Sequence, residues 1–126
     1  DIAGRAMSAQ LVRLNTTASN LANAASVSGS KEEAFRALKP VFRTVTNSEG
    51  VATVAVDRVV EAGKDPEMRH APDHPLADAN GNVWAAGVDT AAELVEMVET
   101  ARQYQNNVQV LQTAKTLTLD TLRLGQ

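Results

Sequence analysis

The chain has 126 residues and a formal net charge of −3, which is enough for one domain or a small module carried on two terminal helices. The acidic balance argues against a nucleic-acid partner, because binding phosphate needs clustered Lys and Arg. There is no cysteine, which excludes disulfides, thiolate metal sites and a cysteine nucleophile. No apolar run approaches the roughly 20 residues that span a bilayer, so we expect no direct membrane insertion. Aromatic residues make up only 3% of the chain, which favours thin helix–helix seams of Leu, Val and Ala over a thick globular core.

Residues 1 to about 25 predict a first long helix. The pattern is that of a coiled-coil seam, in which apolar residues alternate at spacings of four and three. Its members are Met7, Leu11, Leu14, Ala18, Leu21 and Ala25. The helix should end between Asn23 and Ser28, because small residues and then Gly29 follow.

The middle of the chain, residues 31–88, has a different character. Val41 to Thr46 and Val51 to Val60 are rich in β-branched residues, and Asn47-Ser48-Glu49-Gly50 separates them. This arrangement predicts a β-hairpin in which Gly50 takes a positive φ. Prolines and glycines are frequent after Gly63, so we expect an extended, irregular loop up to the last helix.

Residues 90 to about 124 predict a second long helix. Thr90 followed by Glu93 is the pattern of a capping box. The first apolar stripe of the helix consists of Leu94, Met97, Val98, Ala101, Tyr104, Val108 and Leu111. We therefore expect an α+β, mainly α, fold in which long N- and C-terminal helices pair as an antiparallel coiled coil. Residues 1–30 and 89–126 would form the coiled-coil domain, and 31–88 a small β-hairpin and loop region.

Both predicted helices are short of charge on their outer faces. No charged residue occurs from Leu14 to Ser30, and only Lys115 occurs from Gln103 to Leu119. Asn, Ser and Thr are indifferent helix formers on an exposed surface. Neutral amides and hydroxyls can be buried at modest cost when they are hydrogen-bonded, so we expect other subunits to cover these faces. The alternative is a soluble helical hairpin with a polar surface, which would act as an adaptor for one partner helix.

Three segments carry a family resemblance. Residues 8–24, with Ala18-Ser19-Asn20-Leu21-Ala22-Asn23 at their centre, resemble the N-terminal motif shared by flagellar rod and hook proteins. Residues 93–126 resemble the C-terminal helix of a proximal rod protein in that axial family. The loop His74-Pro75-Leu76-Ala77-Asp78, with Asn80-Gly81 after it, is similar to the loop before that helix.

The resemblance implies a structural subunit of the bacterial flagellar basal-body rod, in its proximal part. Such a subunit would assemble in the periplasm with other rod proteins and copies of itself, as part of the drive shaft that transmits motor torque. It also implies passage through the flagellar type III export apparatus without a cleaved signal peptide, and Asp1–Gly4 do not form one. Another rod or hook member of the axial family is the alternative within this class.

The residues expected at the assembly interface combine the seam positions with uncharged or isolated polar neighbours. They are Met7, Leu11, Leu14, Ala18, Asn20, Leu21, Asn23, Leu94, Met97, Ala101, Tyr104, Asn107, Val108, Leu111, Lys115 and Leu122. We expect no catalytic, cofactor-binding or metal-binding residue. A metal-dependent enzyme would have to use His70 and His74, which lie in one proline-containing loop without a third His.

Overall fold

A computed structural model describes residues 2–125, with side-chain environments for residues 4–125. A long helix lies at each end, and five strands lie between the two helices. In chain order the elements are α1 (Ile2–Asn23), β1 (Val27–Ser28), β2 (Leu38–Thr46), β3 (Ala52–Glu61), β4 (Met68–His70), β5 (Asn82–Ala85) and α2 (Thr90–Leu124). The predicted α+β fold with helices at both ends is confirmed.

The predicted β-hairpin is confirmed as an antiparallel pair of β2 and β3 that runs from Leu38↔Glu61 to Thr46↔Ala52. The side-chain oxygen of Asn47 accepts from the amides of Glu49 and Val51 at 2.9 Å each. Gly50 has a φ of 81°, which a residue with a Cβ would adopt only under strain. These contacts close the turn and fix the register of the two strands.

The segment expected to be an irregular loop contributes two strands, β4 and β5, to a second sheet, so that expectation was wrong. Its strand order is β1-β5-β4, with both pairings antiparallel. Val27 lies opposite Ala85, and Met68 lies opposite Trp84. The strands have two to four residues, which is too short for period-2 alternation to be visible in the sequence.

The best-buried apolar side chains lie beside this sheet and not in a helix seam, contrary to the expectation from composition. Ala37, Ala86 and Val88 form a small core with Ala24 and Phe35 packed against it. The backbones approach one another closely here: the Gly87 amide donates to the Phe35 carbonyl at 2.7 Å. The core is therefore built from small residues and backbone contacts rather than from large side chains.

The two helices differ in their surroundings. Helix α1 packs against α2 and also against both strands of the hairpin, whereas no strand of the described chain packs against α2. The predicted capping box at Thr90 is wrong by one residue. Asp89 is the N-cap, and its carboxylate accepts from the Ala92 amide at 3.2 Å. Asp and Thr are both good N-cap residues. Here Asp89 is the residue with an extended backbone directly before the helix, and it is therefore the N-cap.

Candidate assembly interface

The face of α1 that turns into the molecule is largely polar. Its most buried residues are Ala9, Thr16, Thr17 and Asn20, with exposed fractions of 9% or less. The Thr16 hydroxyl donates to the Val12 carbonyl at 2.7 Å, so one buried polar group is satisfied within the helix. The expectation that other subunits cover these uncharged residues is therefore wrong for Thr16, Thr17 and Asn20, which the chain buries by itself.

Asn20 joins α1 to the start of the hairpin. Its Nδ2 donates to the Leu38 carbonyl at 2.9 Å, and its Oδ1 accepts from the Leu38 amide at 2.8 Å. The side chain is only 1% exposed. A side-chain amide that bonds both backbone groups of one residue replaces a neighbouring strand at that point. Asn20 therefore holds the first residue of β2 against the helix.

Polar contacts also join α1 to α2. Arg13 forms an ion pair with Glu96, and Gln10 donates from Nε2 to Gln103 Oε1 at 3.0 Å. The later residue of α1, Arg13, contacts the earlier residue of α2, Glu96. This order is that of antiparallel helices. Thr100 lies fully buried in α2, at the same level of the helix as these contacts.

The predicted interface residues fall into three groups in the structure. Asn20 is buried within the chain. The half-buried group consists of Met7, Leu14, Leu21, Asn23, Met97, Ala101, Tyr104, Asn107, Val108 and Leu111. The exposed group consists of Leu11, Ala18, Leu94, Lys115 and Leu122.

The helices also expose apolar side chains that were not among the predicted interface residues. They lie on α2 and are 47% to 88% exposed: Val95, Val98, Val110, Leu117, Leu119 and Leu124. Val98 belongs to the first apolar stripe of the last helix, so part of the signal was present in the sequence. Among the residues of α2 whose side chains are described, only Thr100 is buried, and every residue from Gln112 to Gly125 is exposed.

The accessible surface is large for the mass of the chain. It measures 8509 Å², whereas a compact monomer of 13.4 kDa exposes about 6,500 Å². The difference of about 2,000 Å² exceeds the roughly 800 Å² that one partner contributes to a standard interface. Helix α2 contributes to this excess, because Thr100 is the one buried residue among its described side chains.

The two histidines do not come together in a metal site. His70 Nδ1 lies 3.2 Å from Asn82 Oδ1, and His74 Nδ1 accepts from the Leu76 amide at 3.0 Å. Within residues 2–125, no group of three or more His, Asp or Glu side chains is arranged to hold a metal ion. The histidines instead shape the loop between β4 and β5.

Two families match the ends of the chain. Residues 1–30 match the family described as flagella basal body rod protein, and residues 79–124 match the C-terminal family of the flagellar basal body rod FlgEFG proteins. The matched segments include α1 in the first case and α2 in the second. The helices with the unusual surfaces are thus the segments by which the chain is related to axial proteins.

Relatives extend the similarity over the whole chain. The chain is 46% identical to the flagellar basal-body rod protein FlgC of Salmonella typhimurium, with 100% of the chain and 95% of the relative covered. It is 42% identical to that of Yersinia enterocolitica over the same shares. The FlgC of Aquifex aeolicus is 34% identical, with 91% of the chain and 86% of the relative covered.

The chain belongs to the FlgC family of flagellar basal-body rod proteins. As a member of this family, it is a structural subunit of the basal-body rod and not an enzyme. Neither helix, over its described residues, combines the length and apolar character needed to cross a membrane.

Proposed function

We propose that the terminal helices of this rod subunit form an antiparallel coiled-coil core, which polymerises with other rod proteins and copies of the same chain. Residues 1–30 and 89–126 would supply this axial domain, and residues 31–88 would form its outer part. Assembly would take place in the periplasm after export through the flagellar type III apparatus without a cleaved signal. The assembled rod would transmit motor torque. The proposal includes no nucleic-acid partner, no cofactor and no membrane-inserted segment.

The observation that carries the proposal is the surface of α2. Leu94, Val110, Leu117 and Leu122 are each more than half exposed along its length. Burying such a side chain contributes about 1.5–3 kcal/mol, which the isolated chain does not gain. A structural polymer gains it by covering the helix with neighbouring subunits.

The polar side of the helices supports the same proposal. Gln105, Asn106, Gln109 and Gln112 are exposed on α2, and uncharged amides can enter an interface if they find hydrogen-bond partners. The half-buried seam residues, Leu14 and Tyr104 among them, would complete their burial in the same step.

The test is Leu122→Asp, with Leu122→Met as the matched control. Leu122 is 61% exposed, so the substitution should leave the isolated fold intact, as judged by far-UV circular dichroism and the urea midpoint. In the rod a buried, unpaired carboxylate would cost several kcal/mol, so we expect normal export but loss of the chain from isolated basal bodies and loss of motility. The Met variant should assemble and swim. An Asp variant that assembles normally would contradict the proposal. If the unsubstituted chain is well folded but is never found in basal bodies, an adaptor is favoured instead.

A further inference from the structure

A groove opens between α1 and the hairpin, on the side of α1 that does not contact α2. It encloses about 520 Å³, which is sufficient for several apolar side chains. Its walls are largely aliphatic, with Ala9, Val12, Val45, Val54, Ala55 and Val56 among the lining residues. Val12, Val45 and Ala55 are only half-buried, so the chain leaves the groove partly open.

Arginines border this apolar groove. Arg5 and Arg43 contribute to its lining, and no Asp or Glu does so. The Arg43 guanidinium lies 3.7 Å from Asp57, which also forms an ion pair with Arg58, so the outer edge on the hairpin side carries two cations and one carboxylate. An occupant should therefore combine aliphatic side chains with a carboxylate that can face Arg43.

The first turns of α2 present these groups on their outer side. Leu94, Val95 and Val98 are 51%, 61% and 57% exposed and form a shallow patch that Glu99 and Arg102 complete. Val98 and the fully buried Thr100 are two residues apart, which places them on nearly opposite sides of a helix. The patch consequently points away from α1 and is accessible to another molecule.

We propose that the groove between α1 and the hairpin of one copy receives the outer face of α2 from a second copy. This inference rests on the proposed function, because it names one of the contacts by which the rod subunit would polymerise. The aliphatic walls match Leu94, Val95 and Val98. Arg43 at the edge of the groove matches Glu99 of the patch, with opposite charges facing each other.

The contact uses two different surfaces of the same chain. A heterologous contact of this kind does not close on itself after two copies unless a rotation brings it into a ring, and otherwise propagates along a helix. It leaves the groove of one terminal copy and the α2 face of the other free. That property suits a subunit which must continue into an axial structure.

The test uses the absence of natural cysteines. Ala55→Cys and Val98→Cys are introduced together into the full chain in a motile strain, and isolated basal bodies are treated with a short bis-maleimide. Ala55 lines the groove and lies opposite Arg43 in the hairpin, so the two side chains share one face. The expected result is a ladder of cross-linked dimers and higher multiples of this chain. The matched control is Val59→Cys with Val98→Cys, since Val59 is 46% exposed on the same strand but does not line the groove. This control should stay monomeric.

A pair of charge reversals gives an independent measurement. Arg43→Glu or Glu99→Arg alone should lower the cross-linked fraction about tenfold, and the two reversals together should restore most of it. If the cysteines at positions 55 and 98 cross-link no better than the control, or only to a different rod protein, the second copy is not the occupant. Absence of the chain from basal bodies would instead refute the proposed function and this inference with it.

Discussion

Asn20 offers a direct test of how the helical and β parts are held together. In Asn20→Ala the helix loses both hydrogen bonds to Leu38, which are 2.8 and 2.9 Å long in the structure. Each bond contributes about 0.5–1.5 kcal/mol, and each partner left unsatisfied costs about 1–3 kcal/mol if it is buried. Leu38 is half-buried, so the lower ends apply, and the free energy of unfolding should fall by about 3 kcal/mol.

Urea unfolding with amide exchange measures this effect. With a slope of about 1–3 kcal/mol per molar urea, the midpoint should fall by about 1–3 M. The Leu38 amide should lose protection against exchange, because its hydrogen bond ends at Asn20. Asn20→Leu, which refills most of the volume, separates the lost hydrogen bonds from a cavity and should remain strongly destabilised. Asn15→Ala is the matched control on an exposed position of the same helix and should shift the free energy by no more than about 0.5 kcal/mol.

Two results would refute the reasoning about Asn20. One is a midpoint within about 0.3 M of the unsubstituted chain, a shift smaller than the loss of a single hydrogen bond would cause. The other is a Leu38 amide that stays protected in Asn20→Ala, because the bond would then be formed by another group. A loss of stability equal to that in Asn15→Ala would show that helix propensity alone is measured.

The remaining predictions concern other well-defined sites of the fold. The buried Thr100 hydroxyl has no hydrogen-bond partner within the described residues, so Thr100→Val should raise the free energy of unfolding by about 1 kcal/mol, and a lower urea midpoint would contradict this. Gly63→Ala should destabilise the fold by at least about 2 kcal/mol, because the added Cβ would lie 2.2 Å from the Gly87 carbonyl oxygen and 2.6 Å from the Ala37 amide nitrogen. Gly125→Ala, whose Cβ would meet nothing closer than 3.5 Å, is the matched control, and equal midpoints for these two variants would refute the argument from close approach.

The helices and the hairpin could be predicted because their signals are local. The recurrence of Leu11, Leu14 and Leu21 indicates a helix on its own, and the β-branched residues on each side of Gly50 indicate a hairpin without reference to the remainder of the chain. Each signal depends on a few neighbouring residues and a short-range interaction. The structure agrees with them to within a few residues at every end.

The sheet of β1, β5 and β4 could not be predicted in the same way. Its pairs Val27↔Ala85 and Met68↔Trp84 join segments that are distant in sequence. Strands this short carry too few residues to show alternation, and the prolines between them indicate a loop. What holds the sheet in place is contact between segments, such as the bond from the Ala86 amide to the Ser26 carbonyl at 3.1 Å.

The inward role of Asn20 was missed for a different reason. The heptad pattern places the apolar positions towards a partner and leaves Thr16, Thr17 and Asn20 outside the seam. The heptad pattern identifies which residues form a seam, but it does not show whether the element packed against the helix belongs to the same chain or to another subunit. Here the chain covers the polar side with the hairpin, while Leu11 of the seam stays 42% exposed.

A hydrophobic pattern in the sequence does not by itself distinguish two quantities. One is the apolar surface that must be covered, and the other is the part of it that the same chain covers. The total apolar surface that must be buried follows from the sequence pattern, for example Leu11 and Leu14 on α1 and Leu94 and Leu117 on α2. The part that the chain buries by itself is seen in the structure, and on α2 this part is small. In an ordinary globular protein the two quantities agree. We infer that their difference locates the surface which assembly has to cover, and that it is greatest along α2 from Gln112 to Gly125, where every residue is exposed.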